Sequence, residues 1–350
     1  MTASPFDHPY LSGLLGDEEI SAFFSAEADI RAMLSFEAAL AQAQAEHGVI
    51  SKETAVRIAE ICATFQPDVL ALRHAVATDG VVLPELVRQL RKAIGGEAAE
   101  KVHYGATSQD VIDTSLMLRL KAVSDVLSKR LTKLSGSFDH LTRTQGTNRL
   151  MGHTRMQAAI PITVADRLSA WSSPLTDYRG RLNTTAFPLQ FGGAAGTLEK
   201  LGDKASAVRS TVARNLGLSD RPQWQSQRAT IADLAHLLSL ISGSLGKFGQ
   251  DIALLAQAGD EITLSGGGGS SVMPHKQNPV TAETLVSLAR FNAVQLSAIH
   301  QSMVHEQERS GAAWTLEWMI LPQMVIACGA SLRLASTLVG QIRQLGAAGA

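Results

Sequence analysis

Residues 231–255 read IADLAHLLSLISGSLGKFGQDIALL. Within them Ile231, Leu234, Leu238, Ile241, Leu245, Phe248, Ile252 and Leu255 are separated by alternating steps of three and four. That spacing keeps apolar side chains on one stripe of a helix. A stripe this long is the pattern of helices packed side by side at a shallow angle. Three more stretches repeat it: Leu116, Leu120, Val123, Leu127, Leu131 and Leu134; Val286, Ala289, Ala293, Leu296, His300 and Met303; and Trp318, Leu321, Val325, Cys328, Leu332, Ala335, Val339 and Ile342. His300 on such a stripe reads as a hydrogen-bonded core histidine. No stretch has the period-two alternation of a sheet. The expected fold class is all-α, with a bundle of long helices at its centre.

Towards the N-terminus the texture changes to shorter helices with turns. A helical pattern runs from Asp17 to Glu46 and ends at His47-Gly48. A second starts at Ser51, and Gln66-Pro67-Asp68 breaks the chain again. Pro84 suits a helix's first turn, and Gly95-Gly96 stops that helix. These boundaries divide the chain into a small helical domain over 1–105 and the bundle over 106–350. Gly192-Gly193-Ala194-Ala195-Gly196 reads as a loop between helices.

Composition narrows the function classes. The 350 residues carry a formal net charge of -1 and only 5% aromatics, which excludes a global field or stacking platform for nucleic acid. Charges interrupt the apolar stretches before membrane-spanning length, and MTASPFDHPY has no signal-peptide pattern, so a soluble cytoplasmic protein is expected. Cys62 and Cys328 are too few for a disulfide framework and have no metal spacing. No HExxH or strand-associated GxGxxG is present, so neither a metal nor a dinucleotide cofactor is expected.

Three polar islands interrupt the apolar helices. The first is Val102-His103-Tyr104-Gly105-Ala106-Thr107-Ser108-Gln109-Asp110. Thr107 and Ser108 can cap the helix that follows, and the same free N–H groups and hydroxyls can bind a carboxylate. The second is Met151-Gly152-His153-Thr154-Arg155-Met156-Gln157-Ala158-Ala159-Ile160-Pro161, read as a polar turn before a helix start or as a site segment. The third runs from Gly266 through four glycines to Ser270-Ser271-Val272-Met273-Pro274-His275-Lys276-Gln277-Asn278-Pro279. Backbone freedom on one side and donors on the other suit a lid over an anion.

The order and spacing of these islands resemble the fumarase/aspartase superfamily over nearly the whole chain. The resemblance implies a homotetramer whose central bundle is shared by four subunits, with each active site gathering the islands from three chains. It implies proton transfer beside a substrate carboxylate, with no cofactor and no metal. Ser270 matches the superfamily's proton-transfer residue, with His153 as the alternative donor and Lys276 stabilising developing charge. Thr107, Ser108, Arg155, Gln157, Ser271, Asn278 and Arg309 are the implied substrate-binding residues. A C-terminal third domain found in many relatives is expected to be absent or minimal.

Departures from the pattern select a branch. Arg155 stands where fumarases and argininosuccinate lyases have a histidine, and Ala158 where adenylosuccinate lyases have one. Ala312 and Trp318 stand where adenylosuccinate lyases use a serine and a second arginine for the nucleotide. The less polar site resembles the bacterial 3-carboxy-cis,cis-muconate cycloisomerase family of aromatic catabolism, which implies a small tricarboxylate substrate. Two other readings stay open: an adenylosuccinate lyase-like C–N lyase, and a non-catalytic helical tetramer.

Overall fold

The computed structural model describes residues 4–269, 273 and 277–347. Seven helices make up its N-terminal part: α1 (Ser12–Leu15), α2 (Glu18–Ala22), α3 (Ala26–Glu46), α4 (Lys52–Thr64), α5 (Val69–Asp79), α6 (Leu83–Ile94) and α7 (Gly96–Lys101). Side-chain oxygens of Asp17, Ser25, Ser51 and Asp68 accept from N–H groups in the first turns of α2, α3, α4 and α5. These caps set where each helix starts by satisfying donors that have no intrahelical partner. The pattern expected as one helix from Asp17 to Glu46 is divided by a turn at Phe23–Ser25, where Ser25 caps the second piece.

Six more helices follow: α8 (Ser108–Gln145), α9 (Val164–Thr184), α10 (Ala205–Leu216), α11 (Ala229–Ala258), α12 (Val280–Gln301) and α13 (Gly311–Gln341). The stripes on α8, α11 and α13 are buried as their spacing predicts, from Leu116 to Leu134, Ile231 to Leu255 and Leu321 to Val339. Glycine allows α11 and α12 to approach. A Cβ at Gly249 would lie 2.5 Å from the Ala282 carbonyl oxygen, and one at Gly246 would collide with the Ala289 methyl. Arg130 of α8 ties the N-terminal helices to the bundle, pairing with Asp17 and Glu19 and donating to the Gly329 carbonyl at 3.0 Å.

The structure corrects four sequence expectations besides the divided helix. The second island is a β-hairpin, not a turn before a helix: β1 (Arg149–Thr154) pairs antiparallel with β2 (Gln157–Thr163). Arg155 and Met156, at φ 49° and 66°, form its two-residue left-handed turn. Pro161 lies in β2, opposite Met151, and α9 begins only at Val164. A second small pairing joins β3 (Ile262–Leu264) to β4 (Ile342–Leu345).

On α12 the buried face is Ala282, Leu285, Leu288, Asn292 and Ile299, not the stripe through Ala293 and His300, which is exposed at those two positions. His300 is therefore not a core residue. Finally, α11 and α13 do reach the length and mean hydropathy of membrane spans, and the greater part of each apolar window is buried within the bundle.

Candidate active site

The first island folds as the start of α8, the longest described helix at 38 residues. Thr107 is its N-cap, and the Thr107 N–H donates to Asp110 Oδ2 at 3.0 Å. Thr107 and Ser108 are half-buried at this N-terminus, where helix polarity favours an anion. Asp110 has no solvent access and accepts three further bonds, from Gly192 N (2.8 Å), Gly193 N (2.9 Å) and Gln190 Nε2 (3.0 Å). Its carboxylate thus locks the 190–194 loop onto the helix start. Burial pushes the Asp110 carboxyl up to about 6, against the pull of these four donors.

One turn on, a fully buried ionic layer underlies the site. Arg228 donates to Asp113 through Nη1 (2.6 Å to Oδ2) and Nη2 (3.1 Å to Oδ1). It also donates to Glu317 through Nη2 (2.6 Å to Oε1) and Nε (3.0 Å to Oε2). All three side chains are fully buried. Burial disfavours the Arg228 charge, but Asp113 and Glu317 outweigh it and hold the guanidinium above its ordinary pKa. Burial raises the Glu317 pKa, with Arg228 opposing it. Asp113 also accepts from Trp314 Nε1 at 3.0 Å and Gln109 Nε2 at 3.1 Å, and the Trp224 ring lies 4.6 Å from the Arg228 guanidinium carbon. Charge-assisted bonds of this kind fix the geometry of everything attached to them.

Arg309 is attached to that layer. Its Nε donates to Gln109 Oε1 at 3.0 Å and its Nη2 to the Ala194 carbonyl at 3.3 Å, and the residue remains exposed. The same chain segment carries His305, whose ring nitrogens are buried. Burial and the nearby Arg228 charge lower its pKa, so the ring is neutral near pH 7. Beside the layer, a cavity of about 340 Å³ opens between α5–α6 and α13, lined by Val76, Gly80, Val82, Glu317, Trp318 and Arg119, among others. Arg119 is already paired with Asp29 at 2.9 Å.

Among the described residues, the three islands do not meet within one chain. Thr107, Ser108 and Arg309 gather at the start of α8. His153, Arg155 and Gln157 are exposed on the hairpin that follows its other end, about 57 Å away for 38 helical residues. Asn278 belongs to that far end. It closes the base of the glycine loop, its N–H donating to Gly268 O at 2.9 Å and its carbonyl accepting from Gly268 N at 3.0 Å. It lines a second cavity, of about 300 Å³, together with Gly266, Leu338 and Gln341. His153 Nδ1 lies 3.1 Å from its neighbour Met151's carbonyl. Ser270, Ser271 and Lys276 lie outside the described residues.

Sequence reasoning missed Asp113, Arg228, Glu317, Gln225 and His305. A usable signal existed for two of them: Asp113 and Glu317 sit on apolar helical faces, Glu317 between Trp314 and Trp318. A carboxylate on a buried face requires a cation, and Arg228 supplies it from a segment with no pattern of its own.

Comparison with known proteins gives a consistent picture. A family model described as "Lyase" matches residues 9–292. The 3-carboxy-cis,cis-muconate cycloisomerase of Pseudomonas aeruginosa is 38% identical over 329 residues, covering 91% of this chain and 72% of that protein. An N-acetyl-S-(2-succino)cysteine lyase of Enterococcus italicus is 33% identical over 336 residues, covering 92% and 72%. The crystal structure of 3-carboxy-cis,cis-muconate lactonizing enzyme from Pseudomonas putida superposes with a TM-score of 0.90 at 35% identity, covering 96% of this chain and 77% of that one.

Proposed function

This chain belongs to the lyase family, the fumarase/aspartase superfamily, and from that membership we propose that it is a cycloisomerase converting 3-carboxy-cis,cis-muconate to 4-carboxymuconolactone. What supports this reading is a set of donors at the start of α8 and an apolar cavity beside the Arg228 layer. Thr107, Ser108 and Arg309 offer helix-terminal and charge-assisted donors at the start of α8. The cavity beside the Arg228 layer is lined by Trp318, and among the described residues the one cation in its lining, Arg119, is paired with Asp29. A nucleotide phosphate would find no unpaired cation among the described residues of that lining.

The chemistry is internal to the substrate. One carboxylate oxygen attacks the neighbouring double bond, forming the C–O bond of a five-membered lactone. The π electrons move toward the acceptor carboxylate as an enolate-like species, and a protein acid then protonates the α carbon. Because the nucleophile is tethered, holding the substrate curled supplies much of the rate. Lys276 and the glycine-loop N–H groups stabilise the developing charge, and Ser270 delivers the proton, with His153 as the alternative donor. Arg155, Gln157, Ser271 and Asn278 complete the carboxylate contacts. No metal or cofactor takes part in this scheme.

Of the described groups, Thr107, Ser108 and Arg309 at one end of α8 and His153 and Asn278 at the other can act together only across chains, since the two ends are far apart. A homotetramer with each site drawn from three subunits meets that requirement. Exposed apolar residues on the hairpin (Met156, Ile160) and the helices (Val294 on α12, Met319 on α13) offer surface for such contacts. The small helical domain over 1–105 and the bundle over 106–350 frame the cavity from its two sides.

The test is direct. Purified protein given 3-carboxy-cis,cis-muconate should bleach the ultraviolet absorbance of its conjugated diene and yield lactone. Adenylosuccinate and N-acetyl-S-(2-succino)cysteine serve as lyase controls. Turnover of either control without turnover of the muconate overturns the proposal.

A further inference from the structure

Among the described residues, two side chains have every polar atom buried and without a hydrogen bond of normal geometry: the fully buried Gln225, through Nε2 and Oε1, and the half-buried His305, through both ring nitrogens. The other buried unpaired atoms belong to groups satisfied elsewhere. Glu37 pairs with His103 through Oε1, Gln44 donates to Tyr104 O, and Asn292 donates to Ser242 Oγ and Met324 O. Buried polar groups normally find partners, so two neighbouring side chains without one of normal geometry call for an occupant.

Both residues border the layer that holds Arg309. Gln225 has no solvent access; its N–H donates to Gln223 Oε1 at 3.0 Å and its carbonyl accepts from Gln109 Nε2 at 2.7 Å. That same Gln109 accepts from Arg309. Gly192 packs closely against this pair: a Cβ there would sit 3.0 Å from Gln225 Oε1 and 2.8 Å from the Gln223 Cβ, so a residue without a side chain is needed at that position. His305 reaches the layer from the other side, on the 302–310 turn that also carries Arg309, close enough to feel the charges of Arg228 and Asp113. Neither side chain makes a hydrogen bond of normal geometry, the Ser302 backbone being the one group that acts weakly on the His305 ring.

We infer that Gln225 and His305 are substrate-binding residues of the Arg309 site, the carboxamide and the imidazole each contacting a carboxylate of a small polycarboxylate. The carboxamide offers an N–H₂ donor, and the neutral imidazole offers one N–H donor. Together with the Arg309 guanidinium they distinguish a ligand carrying several carboxylates from one carrying a single anionic group. This rests on the reading of the site as carboxylate-binding.

The experiment compares wild type with Gln225→Met and His305→Phe, using 3-carboxy-cis,cis-muconate as substrate and tricarballylate as a non-reacting tricarboxylate. Each variant should raise KM about tenfold or more, abolish the tricarballylate-induced rise in Tm, and leave the ligand-free Tm equal to or above wild type, because an unpaired polar group is removed. A variant with a lower ligand-free Tm and unchanged KM would mean an internal water holds the pair, and the inference is wrong. If a variant does not fold, Gln225→Asn and His305→Gln keep a polar group and make the same comparison, with KM again expected to rise. Wild type that binds tricarballylate but leaves the muconate unreacted rejects the cycloisomerase reading alone. Wild type that binds neither rejects the inference.

Discussion

The guanidinium of Arg228 meets the carboxylate of Glu317 through two bonds, 2.6 Å and 3.0 Å long, at a point where neither side chain touches solvent. Two carboxylates and one guanidinium leave this layer short of positive charge. Arg228→Met strands Asp113 and Glu317 without a cation and is expected to cost about 3–5 kcal/mol. Adding Asp113→Asn and Glu317→Gln removes the stranded charges and should recover most of that loss. Urea unfolding of the single and triple variants checks this, and a single-variant cost below about 1 kcal/mol would show that the layer is not under this electrostatic load.

Asp110 gives stability a pH slope. Its folded pKa, about 6, lies above the ordinary carboxylate value, so the folded state holds the proton more tightly. Its contribution is therefore greatest at low pH, falls as pH rises to about 6, and is flat above. The span is on the order of 3 kcal/mol at about 1.4 kcal/mol per pH unit. Asp110→Asn should remove this slope between roughly pH 4 and 6. The check is the urea midpoint of both proteins across that window, and parallel curves would assign the slope to other groups.

A second slope comes from His103, whose Nδ1 lies 2.6 Å from Glu37 Oε1. Burial works against the imidazolium, but the Glu37 carboxylate outweighs it and raises the His103 pKa. The stabilisation is complete below the ordinary histidine value near ~6.5 and is lost as pH rises through the raised folded pKa. His103→Gln should therefore be less stable than wild type at acid pH, with the gap narrowing at alkaline pH. A constant gap from pH 5.5 to 9 would mean that the contact stabilises through shape and not charge.

The fold was legible wherever packing alone decides the sequence. On α8, α11 and α13 the three–four spacing names the buried residues, Ser51 announces its helix by its capping oxygen and Gln66-Pro67-Asp68 marks the next break, whereas the Ser25 cap inside an apolar run was not read as a start. On α12 it did not suffice: two apolar faces compete, and the one through Leu285 and Leu288 is buried in this chain. The hairpin was hidden for a different reason. Gln157-Ala158-Ala159-Ile160-Pro161 has no alternation because both faces of that strand segment are exposed, and its left-handed turn uses Arg155-Met156 where glycine or asparagine is the usual cue. At the site, Thr107 and Arg309 could be found from motifs. Arg228 and Gln225 could not, since their importance comes from burial that tertiary packing creates.

Arg309 and Asn278 lie at the two ends of the bundle, with α13, 31 residues and about 46 Å long, running between them. If one active site needs both, they come from different subunits. Arg309→Ala and Asn278→Ala should then each lower kcat/KM by about a hundredfold or more, as expected for loss of a charge-assisted or buried polar contact to substrate. Mixing the two inactive variants under conditions that let subunits exchange should restore activity. In a one-to-one mixture about a quarter of sites would draw an intact Arg309 from one chain and an intact Asn278 from another. Recovery to roughly that fraction of wild-type activity supports a shared site, and size-exclusion chromatography must show the mixed species to be oligomeric. No recovery despite verified subunit exchange would mean that one chain supplies both residues, and the separation of the two ends would then have to close by a rearrangement of the bundle.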